Sequence, residues 1–431
     1  NSFNSLVRAI RSVAVQRGRM EAHDGKPRRV CFSGCGSTGR LAIMLEAMWR
    51  QAFAISPAMA DCAVSIMTGG DRALIRSVEN FEDYMSFGAR QVTDLGLESG
   101  DVFVAVSEGG ETSSVIGTAL EAARLGCSVF FIYNNPTQLL TEGIDRSRTA
   151  IEDPRIETID LFSGPMALSG STRMQATTLE LLVIGIAMEE ALEEPSSQET
   201  PAGHDERVLT ARQAATRRLD RVDAYVRLLN SLGSNANRRT IATLAAKEAD
   251  LYQNGGLLTY FADDFLLDIF SDTTERSPTF MTPPFRATYD HTSPVSWAFA
   301  KNPSRTTEAA WYYMLGRAPR GITWTGDDYA AMKAPQELVD SPPHLDTSEI
   351  HSYPIGSDTD ESRWKCPRSL AIWINVDGSL SRAGNTQTTT PDGIAGTLEA
   401  AQFSKHEILT VRSTSSGDND TIKSVPEAIA A

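Results

Sequence analysis

The sequence predicts an α/β protein of two units, the first a parallel sheet covered by helices on both faces. Three observations carry that prediction. Short runs of apolar residues alternate with helical stretches along the first 190 residues, and strands apolar throughout are strands buried on both faces. A glycine-rich turn, "GCGSTGR" (34–40), follows the first such run and opens a helix, the junction where parallel sheets meet ligands. The acidic, Pro- and Ser-containing stretch "EEALEEPSSQETPAGHDE" (189–206) then breaks the alternation, and 431 residues suffice for two or three domains.

In order along the chain, residues 4–20 ("NSLVRAIRSVAVQRGRM") space their apolar residues as one helix face does and predict a packing helix. Strands are predicted at 29–33, 62–67, 101–106, 127–133 and 156–161, with helices at 39–54, 72–80 and 113–125 between them. A long apolar helix is expected over 171–192. The first unit is thus read as 1–192, an acidic linker as 193–206 and the second unit as 207–431. The second opens on a helical stretch, 207–232, and continues through apolar runs at 256–262, 369–377 and 407–413. The interval 276–368, rich in proline, aromatic and charged residues, yields no element order. Each unit opens on a helix followed by a strand, a weak trace of duplication.

Composition narrows the function. Apolar residues make up 41% and charged residues 22%, the balance of a soluble globular chain. A net charge of −15 argues against nucleic acid, whose phosphates need clustered Lys and Arg. It leaves room for a small phosphate held by one local loop. No apolar run reaches the length of a membrane span. The five cysteines match no zinc spacing. Cys31, Cys62 and Cys127 read as small core residues, and a reduced, cytoplasmic setting is expected. The six histidines form no metal-binding pair, so no metal or other cofactor is expected.

The turn at 34–40 fits G-x-G-x-x-G, a dinucleotide spacing, but Ser37 and Thr38 stand between its second and third glycines. Glycines let backbone N–H groups approach an anion, and a helix N-terminus adds favourable partial charge. The third strand ends in "SEGGETSS" (107–114), a second turn of this kind bearing Ser107, Gly110, Thr112 and Ser113; helix capping is its plainer role. A nicotinamide site needs an acidic ribose ligand about 20 residues on, and Asp71, the one candidate, lies well past that spacing. Two hydroxyl-rich turns on one sheet suit a phosphomonoester better. "SGPMALSGSTRM" (163–174) places Ser169, Ser171 and Arg173 ahead of the long helix, as a third anion contact or an ordinary cap. Glu79 and Glu82 in "SVENFED" (77–83) are three apart. They form a solvated acidic face or supply a carboxylate that moves a proton beside a carbonyl.

In order and spacing, "GCGSTGRLA" (34–42), "TGGDRALIRSVENFED" (68–83), "SEGGETSSVIG" (107–117), "NNP" (134–136) and "GPMALSGSTRM" (164–174) resemble the sugar isomerase (SIS) domain superfamily. Within it they are most similar to the branch of the N-acetylmuramic acid 6-phosphate etherases and glucokinase regulatory protein. Residues 207–431 resemble a second SIS domain more faintly, through domain order and "GGLLTYFADDFLLDI" (255–269). The resemblance implies two tandem SIS domains, each a flavodoxin-like parallel sheet, the second divergent. It implies a phosphosugar held by Gly36, Ser37, Thr38, Ser107, Gly110, Thr112 and Ser113, with Ser169, Ser171 and Arg173 in a third segment. Glu82 matches the acid/base glutamate of the etherases.

The departures bear on function. Counting from Gly34, the etherases' second glutamate falls on Met48, and a thioether does no proton chemistry. Glu46, about 200° around the helix, is no substitute. Gly109 and Gly110 stand near a usual serine, and Gln175 stands for a usual Lys. A cradle kept while an acid/base group is lost points to a binding protein derived from an enzyme. The leading expectation is a phosphosugar-binding protein resembling glucokinase regulatory protein. It would sense a hexose or amino-sugar 6-phosphate, as a monomer or homodimer, with a sugar kinase as the implied partner. The alternative is a phosphosugar lyase/etherase or aldose–ketose isomerase. There Glu82 is the general base, and Glu275 or His291 supplies the acid.

Overall fold

The computed structural model describes residues 2–20, 27–54, 56–78, 80–168, 171, 174–193, 204–358, 360–364, 366–376 and 405–411. Strands β1 (Val30–Gly34), β2 (Ala63–Met67), β3 (Val102–Val106), β4 (Ser128–Tyr133) and β5 (Ile156–Asp160) form an all-parallel sheet ordered β2-β1-β3-β4-β5. That is the flavodoxin-like order. Every residue of β1, β2 and β3 is buried, because helices cover both faces. Helices Ser2–Met20, Gly36–Ala52 and Ala176–Leu192 pack on one face around Ile10, Trp49 and Ile184. Helices Met85–Leu95 and Ser113–Leu125 pack on the other around Phe103, Val115 and Phe131.

Strands β6 (Leu257–Ala262), β7 (Ala298–Lys301), β8 (Ser369–Val376) and β9 (Lys405–Val411) form a second parallel sheet ordered β7-β6-β8-β9. Numbered from its own first strand this is 2-1-3-4, the order of the first sheet without its last strand. The interval that gave no order from sequence holds β7 and helix Thr307–Leu315. Helices Asn235–Gln253 and Leu266–Phe280 lead into and out of β6. Among the described residues no helix is long and apolar enough to cross a membrane.

Two expectations are corrected. The stretch 72–80 is not a helix: a 3-10 turn covers Asp71–Leu74, a second covers Phe81–Asp83, and an α-helix follows at Met85–Leu95. Left-handed backbone at Gly70 (φ 73°) and Asn80 (φ 64°) bends the chain away from a continuous helix. The Asp71 N–H bonds across to the Arg320 carbonyl at 3.1 Å. The long helix starts at Ala176 rather than 171.

The two sheets share packing. Ile43 and Ala47 of helix Gly36–Ala52, with Met67 and Leu74, form one buried cluster with Phe270, Trp311 and Met314. Glu46, on the same helix, is buried and takes hydrogen bonds from Ser65 (2.6 Å), Arg50 (2.8 Å), Arg317 (2.9 Å) and Arg320 (2.8 Å). Arg317 also pairs with buried Asp71. Burial alone would raise the Glu46 carboxyl, but Arg317 and Arg320 overrule it and bring it down to about 2.

Candidate functional site

The carboxyl edge of the first sheet carries a cleft of about 350 Å³. The chain turns sharply from β1 into helix Gly36–Ala52. Gly34 is required there, since a Cβ on it would meet the Thr38 backbone at 2.3 Å. Gly36 and Ser37 line the cleft at the N-terminus of that helix. The Thr38 hydroxyl faces inward: it donates to the Cys35 carbonyl (2.8 Å) and accepts from the Cys35 N–H (3.0 Å). Its bonds cap the helix and shape the turn.

The turn after β3 supplies the next wall. Thr112 lines the cleft at the N-cap of helix Ser113–Leu125. Ser107 lies buried behind it, its hydroxyl 3.1 Å from that of Thr112 and accepting the Gly110 N–H at 3.1 Å. Gly110 has φ 72°, and a Cβ there would press on Leu140. Ser113 is half-buried at the first helical position. Ser171 is buried, and among the described residues its hydroxyl has no hydrogen-bond partner. Ser169 and Arg173 lie outside the described residues.

Glu82 stands exposed at the cleft, in the Phe81–Asp83 turn. Its neighbour Phe81 is fully buried and stacks on Trp324 of the second unit, with ring centroids 5.8 Å apart and planes 6° apart. Phe87 and Tyr329 complete that aromatic cluster. The Cys35 thiol donates to Glu82 Oε2 at 3.6 Å. Burial, then the Glu82 charge, pushes the thiol up to about 12, so it stays protonated.

The lining residues that sequence reasoning missed include Arg40, Thr68 and Glu108. Thr68, just past β2, is 2.8 Å from the Ser114 hydroxyl. Glu108 Oε1 accepts from Thr177 at 3.0 Å. Behind it Glu180 is buried, and burial followed by the Glu108 charge pushes its carboxyl well up, while the Asn134 amide donates to it at 2.6 Å. Arg40 was legible in principle, because a cation near a helix N-terminus opposes the helix dipole and wants a reason. Glu275, from helix Leu266–Phe280, closes the cleft and forms an ion pair with Arg40. His291 is exposed and does not line the cleft. Met48 lies about 18 Å along its helix from Gly36, buried in the first unit's core. A glutamate at Met48 would not reach the cleft.

The first and third strands of this parallel sheet end in glycine- and hydroxyl-bearing helix starts, with carboxylates at the rim of the cleft, and helix starts of this kind suit anions. The family model described as glucokinase regulatory protein N-terminal SIS domain matches residues 6–123. The N-acetylmuramic acid 6-phosphate etherase of Aliivibrio fischeri (strain MJ11) is 32% identical over 158 residues, covering 37% of this chain and 48% of the relative. That of Bacillus subtilis (strain 168) is 27% identical over 158 residues, covering 37% and 47%. The chain thus spans about half the length of the curated relatives it matches. Residues 6–123 are thus similar to the N-terminal SIS domain of glucokinase regulatory protein, and the curated relatives that align with this chain are etherases.

Among solved structures, the C-terminal domain of glucosamine-fructose-6-phosphate aminotransferase from Francisella tularensis is similar at 12% identity and TM-score 0.36, covering 100% of this chain and 94% of that one. A phosphoheptose isomerase from the same organism aligns at 16% identity and TM-score 0.30, covering 43% and 85%. Likeness this distant carries no argument about chemistry.

Proposed function

We propose that this protein binds a hexose or amino-sugar 6-phosphate in the cleft and acts as a sensor, the ligand setting how the two units sit together. The observation that carries the reading is the cleft's double ownership. The first unit supplies Gly36, Ser37, Glu82 and Thr112, and the second supplies Glu275 and Pro278. The phosphate would take backbone N–H groups at the helix start and the hydroxyls of Ser37 and Thr112. Ser107 and Thr38 would hold those turns in shape, and Glu82 would accept a sugar hydroxyl. Ser113, Ser169, Ser171 and Arg173 remain candidate contacts by resemblance. Glucokinase regulatory protein, named in the matching family description, suggests a sugar kinase as the partner. Five free cysteines suit a reducing, cytoplasmic setting.

A second reading is an etherase-like lyase or an isomerase, favoured by one observation. Glu275 and Glu108 line the cleft with Glu82, so the site holds more than one carboxylate although Met48 lies away from it. A thermal-shift screen of hexose and amino-sugar 6-phosphates, with NAD and NADP as controls and NMR of each hit, separates the readings. A stabilising sugar phosphate that stays unchanged is the expected result. Conversion that disappears in Glu82→Gln would establish the enzyme, and stabilisation by NAD alone would reject both readings. A pull-down that finds no ligand-dependent kinase would remove the partner.

A further inference from the structure

Resting on the sugar-phosphate reading, we propose that Glu275 is an internal stand-in for the ligand's phosphate. It holds Arg40 while the cleft is empty and gives it up when a phosphate arrives, which frees the end of helix Leu266–Phe280. Both side chains are largely buried, with 6% and 13% exposure, and both line the cleft beside Gly36 and Ser37. Arg40 is a clamp between the units. It donates to the Gly36 carbonyl (3.2 Å) and the Leu74 carbonyl (3.2 Å) of the first, and to the Thr274 hydroxyl (3.3 Å) of the second.

A phosphate monoester brings nearly two negative charges and several acceptor oxygens, against one charge on a carboxylate. Guanidinium suits phosphate through paired N–H donors. A phosphate seated on Ser37 and the Gly36 helix start would compete with Glu275 for Arg40 and repel its carboxylate.

The gripped segment is also the one built to yield. Pro278 sits inside helix Leu266–Phe280 and has no N–H to give the Thr274 carbonyl. The helix therefore lacks a rung where Arg40 holds it. Past that point the chain reaches Phe280 and Met281, both exposed, and Met281 takes left-handed backbone at φ 55°.

The test uses the full chain, with inorganic phosphate and glucosamine 6-phosphate as probes, calorimetry for affinity and hydrogen–deuterium exchange for the helix. In the wild type a bound probe should speed exchange at the amides of 275–280. Glu275→Gln should bind phosphate about tenfold tighter and show the faster exchange with no probe present. Glu275→Asp, which keeps the charge, should restore the wild-type pattern. A wild type that binds a probe with no change in exchange at 275–280 overturns the exchange of partners, whatever the variants do. A folded Glu275→Gln that binds no tighter also overturns it and leaves the binding site standing. Failure of wild type and variant to bind either probe removes the cleft reading as well.

Discussion

At the carboxyl edge of the first sheet the turns leave a cleft, whereas at the same edge of the second sheet the chain closes on its own carboxylates. The strand orders correspond, so the difference lies in the turns. Directly after β1 come Cys35 and Gly36; directly after β6 come Asp263 and Asp264. Asp263 accepts from Asn302 (2.7 Å), from Ser304 (3.2 Å) and from Arg305, all in the turn after β7. Asp358 accepts the Thr307 N–H at 2.9 Å, at the start of the helix that follows. An anion approaching this edge meets carboxylates that already hold the donors. One architecture thus yields an open cleft or a sealed joint, according to whether glycine and hydroxyl or aspartate follows the first strand.

The largest break in this comparison should come from Arg317→Met, which strips Glu46 and Asp71 of a shared partner. Removing one side of a buried ion pair costs about 3–5 kcal/mol. Thermal unfolding should show that loss. Acid comes next. The Glu46 carboxyl lies at about 2 in the folded chain against an ordinary 4.5, a difference worth about 3 kcal/mol. Its folded value is depressed, so the contribution is complete above pH 4.5 and drains away as pH falls toward 2. Stability of Glu46→Gln should depend less steeply on pH across that window than that of the wild type.

Asp263→Asn should sharpen the contrast by loosening only the sealed edge. It weakens a charged acceptor shared by three donors, at a cost of about 1–3 kcal/mol by denaturant unfolding, and should leave phosphate affinity as it was. The smallest effect is the most pointed. Ser37→Ala should weaken phosphate about fivefold in calorimetry, the value of one hydroxyl donor of ~1 kcal/mol. Ser304→Ala should change it not at all, and equal effects would end the distinction between the edges.

The first sheet was legible because most of its strands are buried on both faces. The run at 29–33 became β1 at Val30–Gly34, and that at 127–133 became β4 at Ser128–Tyr133. Helix Met85–Leu95 and strand β7 are not legible in the sequence, the first because the helical pattern points to 72–80, the second because its four residues sit among proline and charge. In the candidate site, glycine and hydroxyl turns announce themselves locally. Whether a hydroxyl faces a ligand or its own backbone does not, as Thr38 illustrates. Nor could local pattern bring Glu275 to Arg40, 235 positions apart in sequence, since only the packing of helix Leu266–Phe280 on helix Gly36–Ala52 joins them.

That helix, Gly36–Ala52, starts at the cleft, sends Leu45 and Trp49 into the first core and Ile43 and Ala47 into the shared one, and holds Glu46 among arginines. Severing the chain in the linker would leave the first half with an oily flank and a stranded negative charge, a poor candidate for solubility on its own. The two halves must then be inherited and exchanged together. A recombinant that replaced the second half would have to reproduce Trp311, Met314 and Arg317 before its partner could even be purified.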